Sequence, residues 1–219
     1  MCTTFSVQFG VMSEVAMKDI GSPGEFLKKL PMGSYVYVEN LPGTRSAAKS
    51  ATSRAAARGE IVFLRRGLYY KGKRTRYGIP VPSAEIVALE VLGKNGIGPT
   101  GVSAARALNL TTQIPAMPEL VTSGPVPTGL RGVRIHKRNN IARYDLNYVE
   151  IAVLEVLRDW KFTSEVGWEG LVNAVNDRIE NREIRPSKLL KAVKGEHSPN
   201  VKSQLRELFE GIKTDATTN

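Results

Sequence analysis

The chain has 219 residues, with 31 Lys and Arg against 21 Asp and Glu, which gives a formal net charge of +10 and a pI near 9.8. This charge favours an anionic partner, and a hydrophobic content of 42% excludes a chain that is disordered throughout. A single cysteine, Cys2, and two histidines exclude a disulfide framework and a Cys- or His-rich metal site, so we expect no metal and no cofactor. The sequence contains no apolar run of the roughly 20 residues that a membrane helix needs, and its start lacks the pattern of a secretion signal. We therefore expect a soluble cytoplasmic protein with no membrane partner.

The positive charge lies mainly in the N-terminal part of the chain. Residues 1–80 contain 13 Lys and Arg against 5 Asp and Glu, whereas residues 81–219 contain 18 Lys and Arg against 16 Asp and Glu. Residues 40–84 contain ten basic residues and a single acidic one, Glu60. A run of charge is usually only a solvated surface, so its meaning depends on the structure that carries it. The asymmetry indicates different partners for the two parts of the chain.

The first predicted elements are short. Residues 1–20 show no sustained period and are interpreted as an arm or a short helix. Ser22 and Pro23 are typical of a helix start, and Pro31 ends the short helix that follows. The segment from Met32 to Gly43 predicts a short strand followed by a helical turn.

An alanine-rich helix is predicted between Thr44, which can cap its start, and Gly59, which can end it. A helical wheel puts four alanines on the buried side: Ala47, Ala48, Ala51 and Ala55. It puts basic and hydroxyl side chains on the opposite side: Arg45, Ser46, Lys49, Ser50, Thr52 and Ser53. This outer side contains no carboxylate, whereas a helix that is merely solvated usually mixes both signs of charge.

A basic hairpin is predicted directly after this helix. Two β-prone runs, Ile61–Leu64 and Leu68–Tyr70, flank a tight turn at Arg65, Arg66 and Gly67. Four more basic residues follow: Lys71, Lys73, Arg74 and Arg76. The order of helix, turn, cationic helix and basic hairpin is that of a winged helix-turn-helix, whose second helix enters the DNA major groove. The alternative is an ordinary small α+β core with a basic surface.

A change in composition at Ile79–Pro82 predicts a linker. We therefore predict two domains, a winged helix-turn-helix with its arm over residues 1–78 and a mixed α/β domain ending in helices over residues 79–219. The fold class predicted for the whole chain is α+β.

The second domain begins with two predicted helices. Ser83 caps the first, which Gly93 ends, and Asn109 is expected to end the second in a left-handed conformation. Strands are predicted at Glu119–Thr122 and within Gly132–Arg138. Asp145 is then expected to open a long helix, and three shorter helices follow, one at each of GLVNAVNDRIE, SKLLKAVK and NVKSQLRELFEGI.

Gly96 to Gly101 spell a G-x-G-x-x-G pattern, which taken alone suggests a dinucleotide site. The segment before it carries Glu85 and Glu90 at helical spacing, where a buried parallel strand is uniformly apolar. No series of alternating strands and helices, as a doubly wound sheet requires, follows it. The pattern is therefore interpreted as a helix stop and a glycine turn.

No catalytic constellation is found in the sequence. His136 is expected on a surface strand and His197 in a loop, and neither has a nucleophile in a known setting. Glu150 and Glu155, five residues apart, do not share a helix face and are interpreted as ordinary polar positions. We predict no catalytic residue and no enzymatic activity.

A second basic stretch has no acidic residue between Glu119 and Asp145. It consists of Arg131, Arg134, Lys137, Arg138 and Arg143. A solvated strand and loop is the favoured interpretation. The functional alternative is a second surface that contacts phosphates or docks a partner.

The stretch AAARGEIVFLRRGLYY, residues 55–70, resembles the end of the winged helix in AbiE-type antitoxins (AbiEi), transcriptional regulators of bacterial toxin–antitoxin loci. The later segments VSAARALNL, ELVTSG, GVRIHKR and LNYVEIAVLEVL are similar in order to the second domain of that family. The resemblance covers about residues 20–160. Its most specific part is the hairpin, a pattern that other winged-helix repressors share.

The resemblance implies an autorepressor that binds inverted repeats in its own promoter, with two copies on each operator, and an antitoxin that counters a nucleotidyltransferase-like toxin through its second domain. The implied groove-facing surface of the recognition helix consists of Thr44, Arg45, Ser46, Lys49, Ser50 and Ser53, with Arg54 at its edge. The implied phosphate contacts of the hairpin are Arg65, Arg66, Lys71, Lys73 and Arg74. The alternatives are a winged-helix module that binds proteins and a plain transcriptional regulator without a toxin partner.

Overall fold

The structure, a computed structural model, describes residues 21–93 and 95–218, with side chains as far as residue 213. The predicted N-terminal arm over residues 1–20 lies outside the described residues. The chain divides into two compact units, Met1–Pro82 and Ser83–Asn219. This division falls at the end of the predicted linker.

The N-terminal unit contains three helical segments and one small sheet in its described part. Its elements are α1 (Pro23–Lys29), β1 (Ser34–Tyr37), α2 (Arg45–Ala57), β2 (Val62–Arg65) and β3 (Leu68–Lys71), with a 3-10 turn at Val38–Asn40. The sheet is antiparallel in the order β1-β3-β2, so β3 is central and β2 lies at an edge.

Local capping explains where both helices of this unit begin. Ser22 accepts a hydrogen bond from the Glu25 N–H, and the Glu25 carboxylate accepts one from the Ser22 N–H, which forms a capping box. Thr44 caps α2 by accepting from the Ala47 N–H at 3.2 Å. Gly59 follows α2 with a φ of +68°, which a glycine adopts without strain. These predicted boundaries are confirmed.

The core of this unit lies between α1, α2 and one face of the sheet. The buried residues of α2 are Ala48, Ala51, Thr52 and Ala55, and they pack near Leu27, Val36, Leu41 and Ile61. Two assignments on the wheel were wrong, because Ala47 is exposed and Thr52 is buried. The Thr52 hydroxyl donates at 3.0 Å to each of the Ala48 and Lys49 carbonyls, so its burial leaves no polar group unpaired.

The C-terminal unit is mainly helical. Its elements are α3 (Ala84–Leu92), β4 (Ile97–Pro99), α4 (Gly101–Ala107), β5 (Glu119–Thr122), β6 (Arg134–Lys137), α5 (Tyr148–Thr163), α6 (Gly167–Glu180), α7 (Pro186–Val193) and α8 (Pro199–Thr218). Ser83 caps α3, Gly93 ends it, and Asn109 has a φ of +60°, as predicted. The predicted strand Glu119–Thr122 is confirmed with the same bounds.

The G-x-G-x-x-G segment forms part of a small mixed sheet. Its middle residues form β4, which pairs antiparallel with β5, and β5 pairs parallel with β6. A Cβ at Gly98 would collide with Ile151, so this glycine lets β4 lie directly against α5. A short antiparallel strand here is unlike the parallel strand that opens a dinucleotide site.

Helix α5 forms the centre of this unit. Asn147, rather than the predicted Asp145, caps its start, and Asn147 and Glu150 together form a capping box. Every residue from Glu150 to Leu157 is buried, so this part of α5 has no solvent face. Neighbouring helices therefore surround α5 on several sides.

Both units combine helices with a three-stranded sheet, so the predicted α+β class is confirmed. Within the described ranges, no helix combines the length and the apolar character required to cross a bilayer.

A candidate nucleic-acid interface

The solvent face of α2 carries only basic, hydroxyl and alanine side chains. All seven residues that the resemblance assigns to the recognition helix are exposed: Thr44, Arg45, Ser46, Lys49, Ser50, Ser53 and Arg54. The buried residues of α2 repeat at i, i+3, i+4 and i+7 and pack into the core. The seven exposed residues therefore lie on the opposite, solvent-facing side of the helix. The structure thus brings these predicted residues together on one helix.

Neighbouring side chains do not neutralise this face. Glu60 accepts hydrogen bonds from Arg58 at 2.7 Å and 3.0 Å, and these bonds lower the pKa of the Glu60 carboxyl. Arg45, Lys49 and Arg54 form no ion pair with any residue that the structure describes. The single acid of residues 40–84 is therefore already paired, and the α2 face remains positive.

The hairpin after α2 presents Arg66 more fully than Arg65. Gly67 has a φ of +81° in the turn, and Arg66 beside it is exposed. Strand β2 has a bulge between Phe63 and Arg65, where its register against β3 shifts. Arg65 is half-buried, and within the described chain its buried Nη1 atom has no hydrogen-bond partner. Arg66 is thus the more accessible of the two cations.

Lys71 does not belong to the exposed cations, so its assignment as a phosphate contact was wrong. Its side chain is inside the unit with 8% exposure. The ammonium donates to the carbonyls of Leu27, Lys28 and Leu30 at 2.7, 2.9 and 2.7 Å. Burial lowers the pKa of Lys71, and the nearby Glu60 charge opposes this effect. Lys71 holds the C-terminal end of α1, where free carbonyls and the helix dipole favour a cation.

The segment after β3 adds further cations and one aromatic ring. Lys73 and Arg74 are exposed, and the Arg74 guanidinium lies beside Gly59 at the end of α2. The Arg76 guanidinium lies 4.6 Å from the centre of the Tyr77 ring, and Tyr77 is 84% exposed. Sequence reasoning placed Arg76 among the basic residues without assigning it to the site, and it missed Tyr77. The signal that could have identified Tyr77 was its position, as an aromatic residue, within a run of basic residues.

The second basic stretch is only partly a free surface. Arg131 and Lys137 are exposed, and neither forms an ion pair with a described residue. Arg134 donates to the Glu119 carboxylate at 2.6 Å, and His136 lies 3.2 Å from the other oxygen of the same group. The strand is therefore a mixed surface of free and paired cations.

Arg138 and Arg143 turn inward, so their assignment to a phosphate-contacting surface was wrong. Arg138 donates to the buried Glu155 carboxylate at 2.7 Å, and Arg143, itself 1% exposed, donates to Glu155 at 2.6 Å. Arg143 also donates to Glu196 at 2.5 Å. These two arginines are internal partners of carboxylates from α5 and from the segment after α7.

Glu150 and Glu155 are buried ion-pair members, and the prediction that they are ordinary polar positions was wrong. Burial alone would raise the pKa of Glu155, but hydrogen bonds from Arg138 and the charge of Arg143 outweigh it and lower the pKa to about 2. Glu150 is held by Arg185 at 2.7 Å. Because α5 is enclosed here, two glutamates five residues apart both face inward. Among the described residues, no group of three metal-ligating side chains is present.

The fold and the site define a two-unit α+β protein whose N-terminal unit carries a helix face and a hairpin with unpaired cations. The chain belongs to DUF6088, a family of unknown function, and the match to this family covers residues 24–144. This match begins within α1 and continues into the C-terminal unit.

A solved structure extends the comparison of the fold. The Rv2827c protein of Mycobacterium tuberculosis is similar with a TM-score of 0.51 and 13% sequence identity, over 86% of this chain and 74% of that chain. At this identity the likeness concerns the fold alone. No curated protein matches the sequence.

Proposed function

We propose that the protein binds double-stranded DNA with sequence selectivity and regulates transcription, with its N-terminal unit acting as a winged helix-turn-helix. The observation that carries this proposal is the exposed face of α2, which combines three unpaired cations with three serine hydroxyls and contains no carboxylate. A protein that only needed a soluble helix would gain from mixed charges at this face.

The order of elements supports the proposal. Helix α1, strand β1, a helical turn, helix α2 and the β2–β3 hairpin follow one another as in a winged helix-turn-helix, in which the helix before the hairpin enters the major groove. An α-helix with side chains is about 10–12 Å wide, which fits a groove of about 12 Å.

Different residues serve affinity and selectivity in this proposal. Arg45, near the start of α2, can bond two acceptors of a guanine edge at once, and the serines can bond either donors or acceptors of the bases. Arg66, Lys73 and Arg74 contact phosphates, which supplies affinity without sequence information. Lys71 takes no part.

The resemblance to AbiE-type antitoxins supports a narrower proposal. In it, the protein represses its own promoter in the cytoplasm by binding inverted repeats with two copies, and its C-terminal unit counters a nucleotidyltransferase-like toxin. Co-expression with such a protein from a neighbouring reading frame tests this part. Rescue of growth supports the antitoxin role, and unrelieved toxicity leaves a plain transcriptional regulator.

The experiment that tests DNA recognition compares Arg45→Ala with Lys73→Ala on two duplexes, the region upstream of the gene and a shuffled sequence of equal composition. We expect Arg45→Ala to weaken binding to the upstream region by about 1–3 kcal/mol more than binding to the shuffled duplex. We expect Lys73→Ala to weaken both equally. Equal losses on both duplexes for both variants would contradict the recognition-helix assignment.

A further inference from the structure

An apolar groove lies between α7 and α8 in the C-terminal unit, far along the chain from the basic face of α2. It has a volume of about 940 Å³, and α6 closes one side with Ile179. Its apolar lining includes Ile179, Leu190, Val193, Leu205, Phe209 and Ile212. Leu190 is 48% exposed, which is unusual for a leucine on a helix that already packs into a core. An open apolar groove of this kind marks an interaction site more often than a chance surface.

Helices α7 and α8 attach to the unit mainly through fully buried side chains, of which Leu205 also reaches the groove. Helix α8 packs into the core through Val201, Leu205 and Leu208, which are buried at i, i+4 and i+7. Helix α7 does so through Leu189 and Ala192. Leu190, Val193, Phe209 and Ile212 are less buried than these residues and line the groove between the two helices.

The charges around the groove identify the occupant. Lys194, Lys202 and Arg206 line it, are exposed, and form no ion pair with a residue in the described ranges. Glu210 and Lys213 also line it, and each already has a partner. A second copy of this chain, related by a two-fold axis, would bring this cationic rim against itself. An acidic partner is complementary to it.

We propose that this groove binds an acidic amphipathic helix of a partner protein. The apolar side of that helix enters the groove, and its carboxylates meet Lys194, Lys202 and Arg206. The stripe of α8 from Lys202 to Ile212 is about 15 Å long at 1.5 Å per residue, which matches about three turns of a bound helix. The proposal concerns the C-terminal unit and does not depend on DNA binding.

The test uses labelled peptides of about 18 residues, long enough to form a helix, and the full-length protein at about 0.15 M ionic strength. One peptide has leucines along one side and glutamates on the flanks; a second replaces glutamate by lysine, and a third replaces leucine by serine. Fluorescence anisotropy should give at least tenfold tighter binding of the first peptide than of the other two. The leucine-free peptide controls for attraction to the basic N-terminal unit.

Variants then locate the site. Leu190→Ser should weaken binding of the first peptide about tenfold. The matched control Ile114→Ser, at a 75% exposed isoleucine outside the groove, should leave binding of this peptide unchanged. The double variant Lys202→Glu, Arg206→Glu should reverse the preference between the acidic and the basic peptide. DNA binding should be unchanged in all of these variants, so this test and the DNA test can fail separately.

Three results would overturn the proposal. One is binding of the acidic peptide that Leu190→Ser does not weaken. Another is equal binding of the acidic and the basic peptide to the unmodified protein. The third is a dimer in analytical ultracentrifugation that Leu190→Ser dissociates, because the groove would then hold a second copy.

Discussion

The ammonium of Lys71 bonds three carbonyls at the end of α1, and this contact joins the first helix to the central strand of the sheet. Replacing Lys71 by methionine keeps the apolar stem and removes the charge and all three bonds. We expect Lys71→Met to lower the free energy of unfolding by about 2 kcal/mol, measured by urea denaturation.

Lys73→Met, two residues further on at an exposed site, is the matched control. It should change the free energy of unfolding by less than about 0.5 kcal/mol and still weaken DNA binding. Equal urea midpoints for the two variants would contradict the structural role of Lys71.

The buried carboxylate of Glu155 makes the stability of the protein depend on pH. Its pKa is lower in the folded protein, about 2, than its ordinary value of 4.5, so its ion pairs stabilise the fold above pH 4.5 and this contribution is lost as the pH falls towards 2. The difference corresponds to roughly 3 kcal/mol. Unfolding free energies measured between these pH values should fall accordingly.

Glu155→Gln isolates this effect. It removes the carboxylate partner of Arg138 and one of the two carboxylate partners of Arg143, so we expect a loss of about 3 kcal/mol at neutral pH and a weaker dependence on pH in the acid range. Glu207→Gln, at an exposed position of α8, should keep the pH dependence of the unmodified protein. If the free energy of unfolding of Glu155→Gln fell with decreasing pH as steeply as that of the unmodified protein, other carboxylates would control the pH dependence.

At the scale of elements, boundaries were predictable because they depend on neighbours in sequence. The caps at Ser22, Thr44 and Ser83 and the left-handed stop at Asn109 need only a few adjacent residues. The start of α5 was placed two residues early because Asp145 and Asn147 are both good caps, and only Asn147 has a glutamate three residues later.

The inward-facing polar residues were not predictable, because their partners lie far along the chain. Lys71 bonds carbonyls more than 40 residues away, and Thr100 donates to Glu155 across 55 residues. Neither a helical wheel nor a charge count contains this information. The outward-facing cations of α2 were predictable since the wheel of a short helix follows directly from its sequence.

The acid-free face of α2 leads to a prediction for that helix. Ser50→Glu places a carboxylate in the middle of the exposed face, where the proposal puts a phosphate or a base edge. We expect at least a tenfold loss of affinity for every duplex with no loss of stability, since glutamate is a good helix former. Gel shifts and thermal melts measure the two effects.

Ser203→Glu, on the exposed side of α8, is the control and should bind DNA as the unmodified protein does. If Ser50→Glu retained full affinity, α2 would not face the DNA.

For the whole molecule, the separation of charge between the two units predicts how binding depends on salt. Among the exposed cations that form no ion pair in the described part of the N-terminal unit, six belong to the proposed interface: Arg45, Lys49, Arg54, Arg66, Lys73 and Arg74. Arg45 is assigned to a base edge, so if the other five contact phosphates, a plot of log K against log salt has a slope of about −4.5.

Replacing Arg131 and Lys137 in the C-terminal unit by alanine should leave this slope unchanged, because these residues lie outside the proposed interface. A slope that becomes shallower by about two would assign them to the DNA contact surface instead.

The most direct test of DNA recognition is a gel shift of the full-length protein on the region upstream of its own gene and on a shuffled duplex, at about 50 and 200 mM salt. The proposal predicts a discrete complex with the upstream region that persists at the higher salt, while binding to the shuffled duplex is lost. Equal binding to both duplexes that disappears at the higher salt would contradict it.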